Sequence, residues 1–127
     1  MSVQKVHPAS GIRWRAMYRN CDGAAVTKAD VSAAHYTIYR LDPSKASARV
    51  PVSGHEEVTI PLDDFLDSPA VDADTGKEYV LSTMISAKYT PPFETVGASY
   101  EVEVVIFDQN GEPHADSIHV ISTTKGN

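Results

Sequence analysis

From Ile12 onward, apolar and polar residues alternate along the chain. Ile12, Trp14, Ala16 and Tyr18 share one parity; Arg13, Arg15, Met17 and Arg19 share the other. A period of two is the side-chain repeat of a half-buried strand, so residues 12–19 are predicted to form one. The pattern returns several times. His35–Leu41 is apolar on both faces, as a central strand should be. Residues 48–52 place Val50 and Val52 on one side. Val58, Ile60 and Leu62 alternate until Pro61, which cannot donate to a ladder and marks an edge or an end. Tyr79, Leu81, Thr83, Ile85, Ala87 and Tyr89 form the longest alternation. Tyr100, Val102, Val104 and Ile106 form the cleanest, and Ser117–Ile121 returns after it. Val3–Val6 reads as a short edge strand closed by Pro8 and Gly11. The inward parity of these strands nominates Trp14, Tyr18, Ile38, Ile60, Leu81, Ile85, Val102 and Val104 as core.

Turn chemistry separates the segments. Asn20-Cys21-Asp22-Gly23 and Asp108-Gln109-Asn110-Gly111 supply the positive φ of tight turns, the second being the strongest hairpin signal present. Asp42-Pro43 and Gly54 break the strands between them. Thr27–Asp30 is predicted to make a short helical turn. Residues 62–67 are predicted to make another, lidding the core with Phe65 and Leu66, and the rest of Asp63–Asp74 reads as loop. The expectation is an all-β chain: one antiparallel β-sandwich domain over residues 1–127, of about seven or eight strands, with short N- and C-terminal arms.

Charge and cysteine content narrow the function classes. A formal net charge of −6 opposes general nucleic-acid binding, which needs basic groups to displace phosphate counterions. The single cysteine, Cys21, rules out an intrachain disulfide and a multi-thiolate zinc site. The N-terminal residues lack the apolar run of a secretory leader, and no stretch is long enough to span a bilayer. Synthesis in a cytoplasm, with neither nucleic-acid nor membrane partners, is the expectation.

A resemblance then emerges. Trp14, Tyr36-Thr37-Ile38-Tyr39-Arg40 and Gly97-Ala98-Ser99-Tyr100-Glu101-Val102-Glu103-Val104 resemble an immunoglobulin-like or fibronectin type III-like module. More narrowly, the chain is similar to short single-domain structural proteins of this fold from tailed bacteriophages. The shared pattern runs Trp14-x-x-x-Tyr18-Arg19-x-x-Asp22-Gly23, Tyr39-Arg40-Leu41-Asp42, Val58-Thr59-Ile60-Pro61-Leu62, Glu78 to Met84 and Ala87-Lys88-Tyr89, covering roughly residues 12–107. The strand after Gly111 looks like an addition to it, and the Asp-rich loop before Tyr79 departs from the compact fibronectin pattern.

Catalytic motifs are not laid over this framework. The histidines His7, His35, His55, His114 and His119 have no zinc-site spacing. Asp72-x-Asp74-x-Gly76 resembles the opening of a calcium loop but lacks the third acidic ligand and the distant glutamate; Asx-turn chemistry accounts for the same residues. No Gly-x-Ser-x-Gly is present, and Cys21 has no basic neighbour nearer than Arg19. The reading is a non-enzymatic protein with no cofactor and no metal. Arg13, Arg15 and Arg19 share the outward parity of one strand. They are the candidate partner-binding residues, suited to bidentate contact with carboxylates. The competing reading is a solvated face paired across strands with residues such as Glu101 and Glu103.

Two function classes follow. What the resemblance implies is a structural component of a phage virion, foremost a capsid decoration or cement protein, present in many copies or as a homo-oligomer. Its partners would be the major capsid protein or tail components. The alternative is a tail or tail-fibre adhesion or carbohydrate-binding module, which needs an exposed aromatic platform; with Trp14 inward, tyrosines such as Tyr36 or Tyr39 would have to supply it. On the first reading, the segments Ser2–Ser10 and Ser122–Asn127 lie against neighbouring chains.

Overall fold

The computed structural model describes residues 3–7, 11–42, 45–85 and 92–123. Nine strands are present among them: β1 (Val3–Val6), β2 (Ile12–Ala16), β3 (Val31–Asp42), β4 (Lys45–Pro51), β5 (Val58–Thr59), β6 (Phe65–Val71), β7 (Glu78–Ile85), β8 (Ser99–Asp108) and β9 (Pro113–Ser122). The remaining regular structure is two single turns of 3₁₀ helix, Lys28–Asp30 and Leu62–Asp64. None of the described helices is long and apolar enough to cross a membrane.

The strands form two sheets around one hydrophobic cluster. The larger has the order β1-β9-β8-β3-β4, with β5 also pairing with β3; the smaller is β2-β7-β6. This arrangement is consistent with a β-sandwich. The larger sheet is mixed rather than wholly antiparallel as expected, because β1 runs parallel to β9, Val3 beside His119 and Val6 beside Ser122; the smaller is antiparallel throughout. β1 and β2 belong to different sheets, so the chain crosses between them instead of turning back as a hairpin. Residues 3–6 are therefore part of the chain's own sheet. In the arm expected to reach a neighbour, only residues 3–7 are described. Residues 2 and 8–10, and the tail 124–127, lie outside the described residues.

All eight nominated core residues are buried; Ile38, Ile60, Leu81, Ile85, Val102 and Val104 are fully so. Each fully buried aliphatic side chain contributes about 1.5–3 kcal/mol through removal from water. Val26 and Phe93 join them from outside the strands, where no periodicity announces burial. Phe93 meets Tyr100 edge-on, with ring centroids 5.4 Å apart, a favoured aromatic geometry.

Two local expectations need correction. The segment after the Leu62–Asp64 turn is not a lid followed by loop. Phe65 is buried as anticipated, but residues 65–71 form an edge strand on β7, with the register shifting between Phe65 and Ala70. An edge position tolerates Pro69, whose missing N–H and poor strand company hid the element in the sequence. The long alternation from Tyr79 also slips. Val80 and Leu81 are both fully buried, so Tyr79 leaves the inward parity and its ring lies 4.9 Å beneath the Arg15 guanidinium. Residues 86–90, the end of that alternation, lie outside the described residues.

The remaining turns follow the sequence. Asn20 Oδ1 accepts the N–H groups of Asp22 and Ala24 (2.9 and 3.0 Å), and Gly23 takes φ 83°. Thr27 and Asp30 close the first 3₁₀ turn, the Asp30 carboxylate accepting both the Thr27 N–H and hydroxyl.

Candidate functional site: the arginine face and its cleft

The outward residues of the smaller sheet are set by register. β2 pairs antiparallel with β7, placing Arg13 opposite Met84 and Arg15 opposite Ser82. Arg19 follows β2 and forms an isolated bridge with Ala25 across the Asn20–Gly23 turn. All three arginines are exposed; Arg13 and Arg15 share the outward positions of β2, and Arg19 lies beyond its end.

Their electrostatic states differ. Arg15 pairs with Asp72 at 3.1 Å, reaches Ser82 Oγ at 3.4 Å and lies over Tyr79. Arg19 donates to the Gly23 carbonyl at 2.9 Å and pairs with Glu78 at 3.6 Å. Arg13 has no ion pair among the described residues. Its cross-strand neighbour Met84 is 51% exposed. The face thus presents one uncompensated guanidinium beside a large apolar side chain.

The anticipated partners of these arginines, Glu101 and Glu103, belong to the other sheet. There they pair with Arg49, at 2.6 and 3.9 Å. Strand parity alone cannot say which sheet an outward carboxylate belongs to, and that is why the sequence misassigned them.

Arg13 also stands at the rim of a cleft of about 390 Å³, lined among others by Tyr36, His55, Asp64, Thr83 and Met84. The volume lies in the range of ligand-sized recesses. Buried polar groups in its wall are matched to one another. The Tyr36 hydroxyl and His55 Nδ1 are 2.9 Å apart, and the Thr83 hydroxyl donates to Asp64 at 2.7 Å. Burial pushes the Tyr36 phenol above its ordinary pKa. The cleft lining therefore combines a cation and an exposed methionine with two matched polar pairs. Such a surface suits capture of a side chain or a short segment.

Within the acidic stretch read as a calcium alternative, Asp63, Asp64 and Asp72 are engaged in structural contacts. Asp63 pairs with Lys28 at 3.0 Å and Asp64 accepts from Thr83. Asp72 Oδ1 accepts the N–H groups of Asp74 and Thr75, an Asx turn closed by Gly76 at φ 71°. The Asp74 N–H and then the Arg15 guanidinium hold the Asp72 carboxyl below the usual carboxylate range.

The aromatic platform required by the carbohydrate alternative is missing at the residues that were to supply it. Trp14 is 3% exposed, Tyr36 is buried against His55, and the Arg49 guanidinium covers Tyr39 at 4.0 Å. Reasoning from sequence also missed a cluster at the β8–β9 turn, where Asp108, Glu112 and His114 converge. The Asn110-Gly111 hairpin signal could have found it, because that turn folds residue 108 back onto residues 112–114.

Comparison with known proteins adds no relative: no family model, curated protein or solved structure matches the chain.

Proposed function

We propose that the chain is an immunoglobulin-like, non-enzymatic structural module of a tailed-phage virion, bound to the capsid exterior as a decoration or cement protein. Strand order supports the fold half of this reading. The immunoglobulin scheme joins strands B, E and D in one sheet and C, F and G in the other, with an extra strand beside C in variable-type domains. Here β2-β7-β6 occupies the first set, β9-β8-β3 the second, and β4 the extra place. On this mapping β9 is the last strand of the fold and not an addition.

A second feature favours the same reading. Tyr100 is the second residue of β8, and its hydroxyl accepts the Thr95 N–H at 2.9 Å. A tyrosine at the start of strand F bonded to backbone a few residues upstream is the tyrosine corner of such domains. Val102, two residues on, occupies the place of the antibody cysteine and is fully buried. With one cysteine in the chain, hydrophobic packing substitutes for the inter-sheet disulfide.

The docking half rests on one observation: Arg13 is a cation without an ion-pair partner among the described residues, beside exposed Met84, on a protein of net charge −6. Such a face suits an acidic partner surface carrying an apolar contact, and the resemblance to phage structural proteins supplies the capsid as that partner. Multiple copies on a lattice would multiply a contact that is small in each copy.

The test is the composition of purified particles. Quantitative mass spectrometry is expected to find the chain at a copy number commensurate with the capsid lattice. It should detach as salt rises, since exposed charge contacts are screened over about 8 Å at physiological ionic strength. A few copies per particle, confined to the tail fraction, would replace this reading with the tail-associated alternative.

A further inference from the structure

At the tip of the β8–β9 hairpin, Asp108, Glu112 and His114 each present a ligand atom, and the three atoms lie within 4.8 Å of one another. Hairpin register causes this. Ile106 is paired with His114 and Phe107 with Pro113. The chain then reverses through Gly111 at φ 82°, with Asp108 N–H donating to the Glu112 carbonyl at 3.0 Å. Asp108 Oδ1 accepts the N–H groups of Asn110 and Glu112, at 2.9 and 3.0 Å. That pins the carboxylate and leaves Oδ2 facing His114 Nε2 at 3.2 Å. Glu112 is exposed and has no ion pair among the described residues, so its carboxylate is available to close on the other two.

The donor set selects the ligand. Calcium and magnesium prefer oxygen throughout, whereas an imidazole nitrogen with two carboxylates suits zinc and its first-row neighbours. Three protein donors with a coordination position left open is a standard zinc arrangement. Two of the three side chains are also held before any metal arrives, Asp108 by its turn and His114 by its strand. The acidic stretch from Asp63 to Glu78 is richer in carboxylates, yet no comparable group forms there among the described residues.

We propose that Asp108, Glu112 and His114 constitute a binding site for zinc or a similar divalent transition metal at the hairpin tip, its open position facing solvent. Metal entry replaces the Asp108–His114 hydrogen bond with two coordinate bonds and draws Glu112 in from solvent. The site stands independently of the capsid reading. Its ligands must be deprotonated, so affinity falls on acidification.

The experiment titrates zinc chloride into the metal-stripped full-length protein by calorimetry and repeats the titration with cobalt, whose visible spectrum reports a nitrogen–oxygen ligand field. One zinc per chain is expected, with heteronuclear NMR shifts confined to residues around the hairpin. His114→Gln and Glu112→Gln should each weaken binding by at least ~tenfold, the scale seen even for residues that only support metal ligands. Asp108→Asn should do the same while its side-chain oxygen still caps the turn. His119→Gln, on the same strand but with opposite parity, should leave affinity unchanged. Absence of zinc binding short of millimolar concentrations, or binding lost with His119→Gln and retained in the three site variants, would overturn the proposal.

Discussion

The two sheets carry the same device on their outer faces and use it differently. On the larger sheet Arg49 lies 4.0 Å over Tyr39 and is tied to Glu101 at 2.6 Å, with Glu103 also within reach at 3.9 Å. On the smaller sheet Arg15 lies 4.9 Å over Tyr79 and is tied to Asp72 at 3.1 Å. On the larger sheet two carboxylates serve Arg49, while Arg40 on β3 and Lys5 on β1 are exposed and have no ion pair among the described residues. The smaller face has Asp72 and Glu78 for Arg13, Arg15 and Arg19, and one cation is left over. Individual surface pairs add only about 0–1 kcal/mol to stability, so neither arrangement holds the fold together. What differs is the setting of the unpaired cation: Arg13 stands opposite exposed Met84.

The largest expected effect comes from beneath the cationic face. Trp14 lies on β2 between Arg13 and Arg15 and points into the core. Trp14→Ala should cost about 3–5 kcal/mol in denaturant unfolding, through lost burial and the cavity left behind. A loss below about 1 kcal/mol would mean that β2 is not anchored by its inner side, and that the face above it is not a fixed surface.

Tyr100→Phe probes the larger sheet with a smaller change. It removes the hydroxyl that accepts the Thr95 N–H and leaves the ring on Phe93. The expected loss is about 1–2 kcal/mol, the cost of one hydrogen bond with a partly buried donor left unmatched. An unchanged unfolding midpoint would remove the tyrosine-corner argument.

Acid sharpens the comparison further. The folded-state pKa of Asp72 is lowered by the Asp74 N–H and by Arg15. That of Asp108 is lowered by His114 and by the N–H groups of its turn. A depressed carboxylate contributes stability that is complete above its unfolded pKa and is lost as pH falls through the lower folded value. Melting temperature should therefore decline on the acid side of the ordinary carboxylate range. Asp72→Asn, which keeps the side-chain oxygen of the Asx turn, should flatten that decline. An acid limb as steep as the wild type's would show that Arg15 and Asp72 are not coupled in solution.

Much of the architecture could be read from period-two patterning, because a strand that buries one face must write that face into every second residue. The positions of β2, β3, β8 and β9 follow from it, as does the burial of Trp14, Ile38 and Val104. Where local rules are broken, the pattern is silent. β6 runs through Asp67, Ser68 and Pro69, which only an edge strand with a register shift can accommodate. The slip at Val80 and Leu81 turns Tyr79 outward without any change in residue type that would signal it. At the site, the shared parity of Arg13, Arg15 and Arg19 was legible, but their partners were not. Asp72 reaches Arg15 from the turn after β6 and Glu78 reaches Arg19 from the first position of β7, and the spacing within β2 encodes neither. The Asp108–His114 cluster was encoded in the hairpin turn, since register converts sequence offsets there into spatial neighbours.

On the proposed reading, Arg13 of the smaller sheet, and not the paired Arg49 of the larger one, meets the particle. The most direct measurement compares binding of Arg13→Gln and Arg49→Gln proteins to purified particles stripped of the native chain. Both variants lose one positive charge, so long-range electrostatics changes equally in each. Arg13→Gln should weaken binding by about tenfold, about 1.4 kcal/mol, with an unchanged melting temperature. Arg49→Gln should bind as the wild type does. Equal binding by the two variants, or a loss confined to Arg49→Gln, would contradict the account.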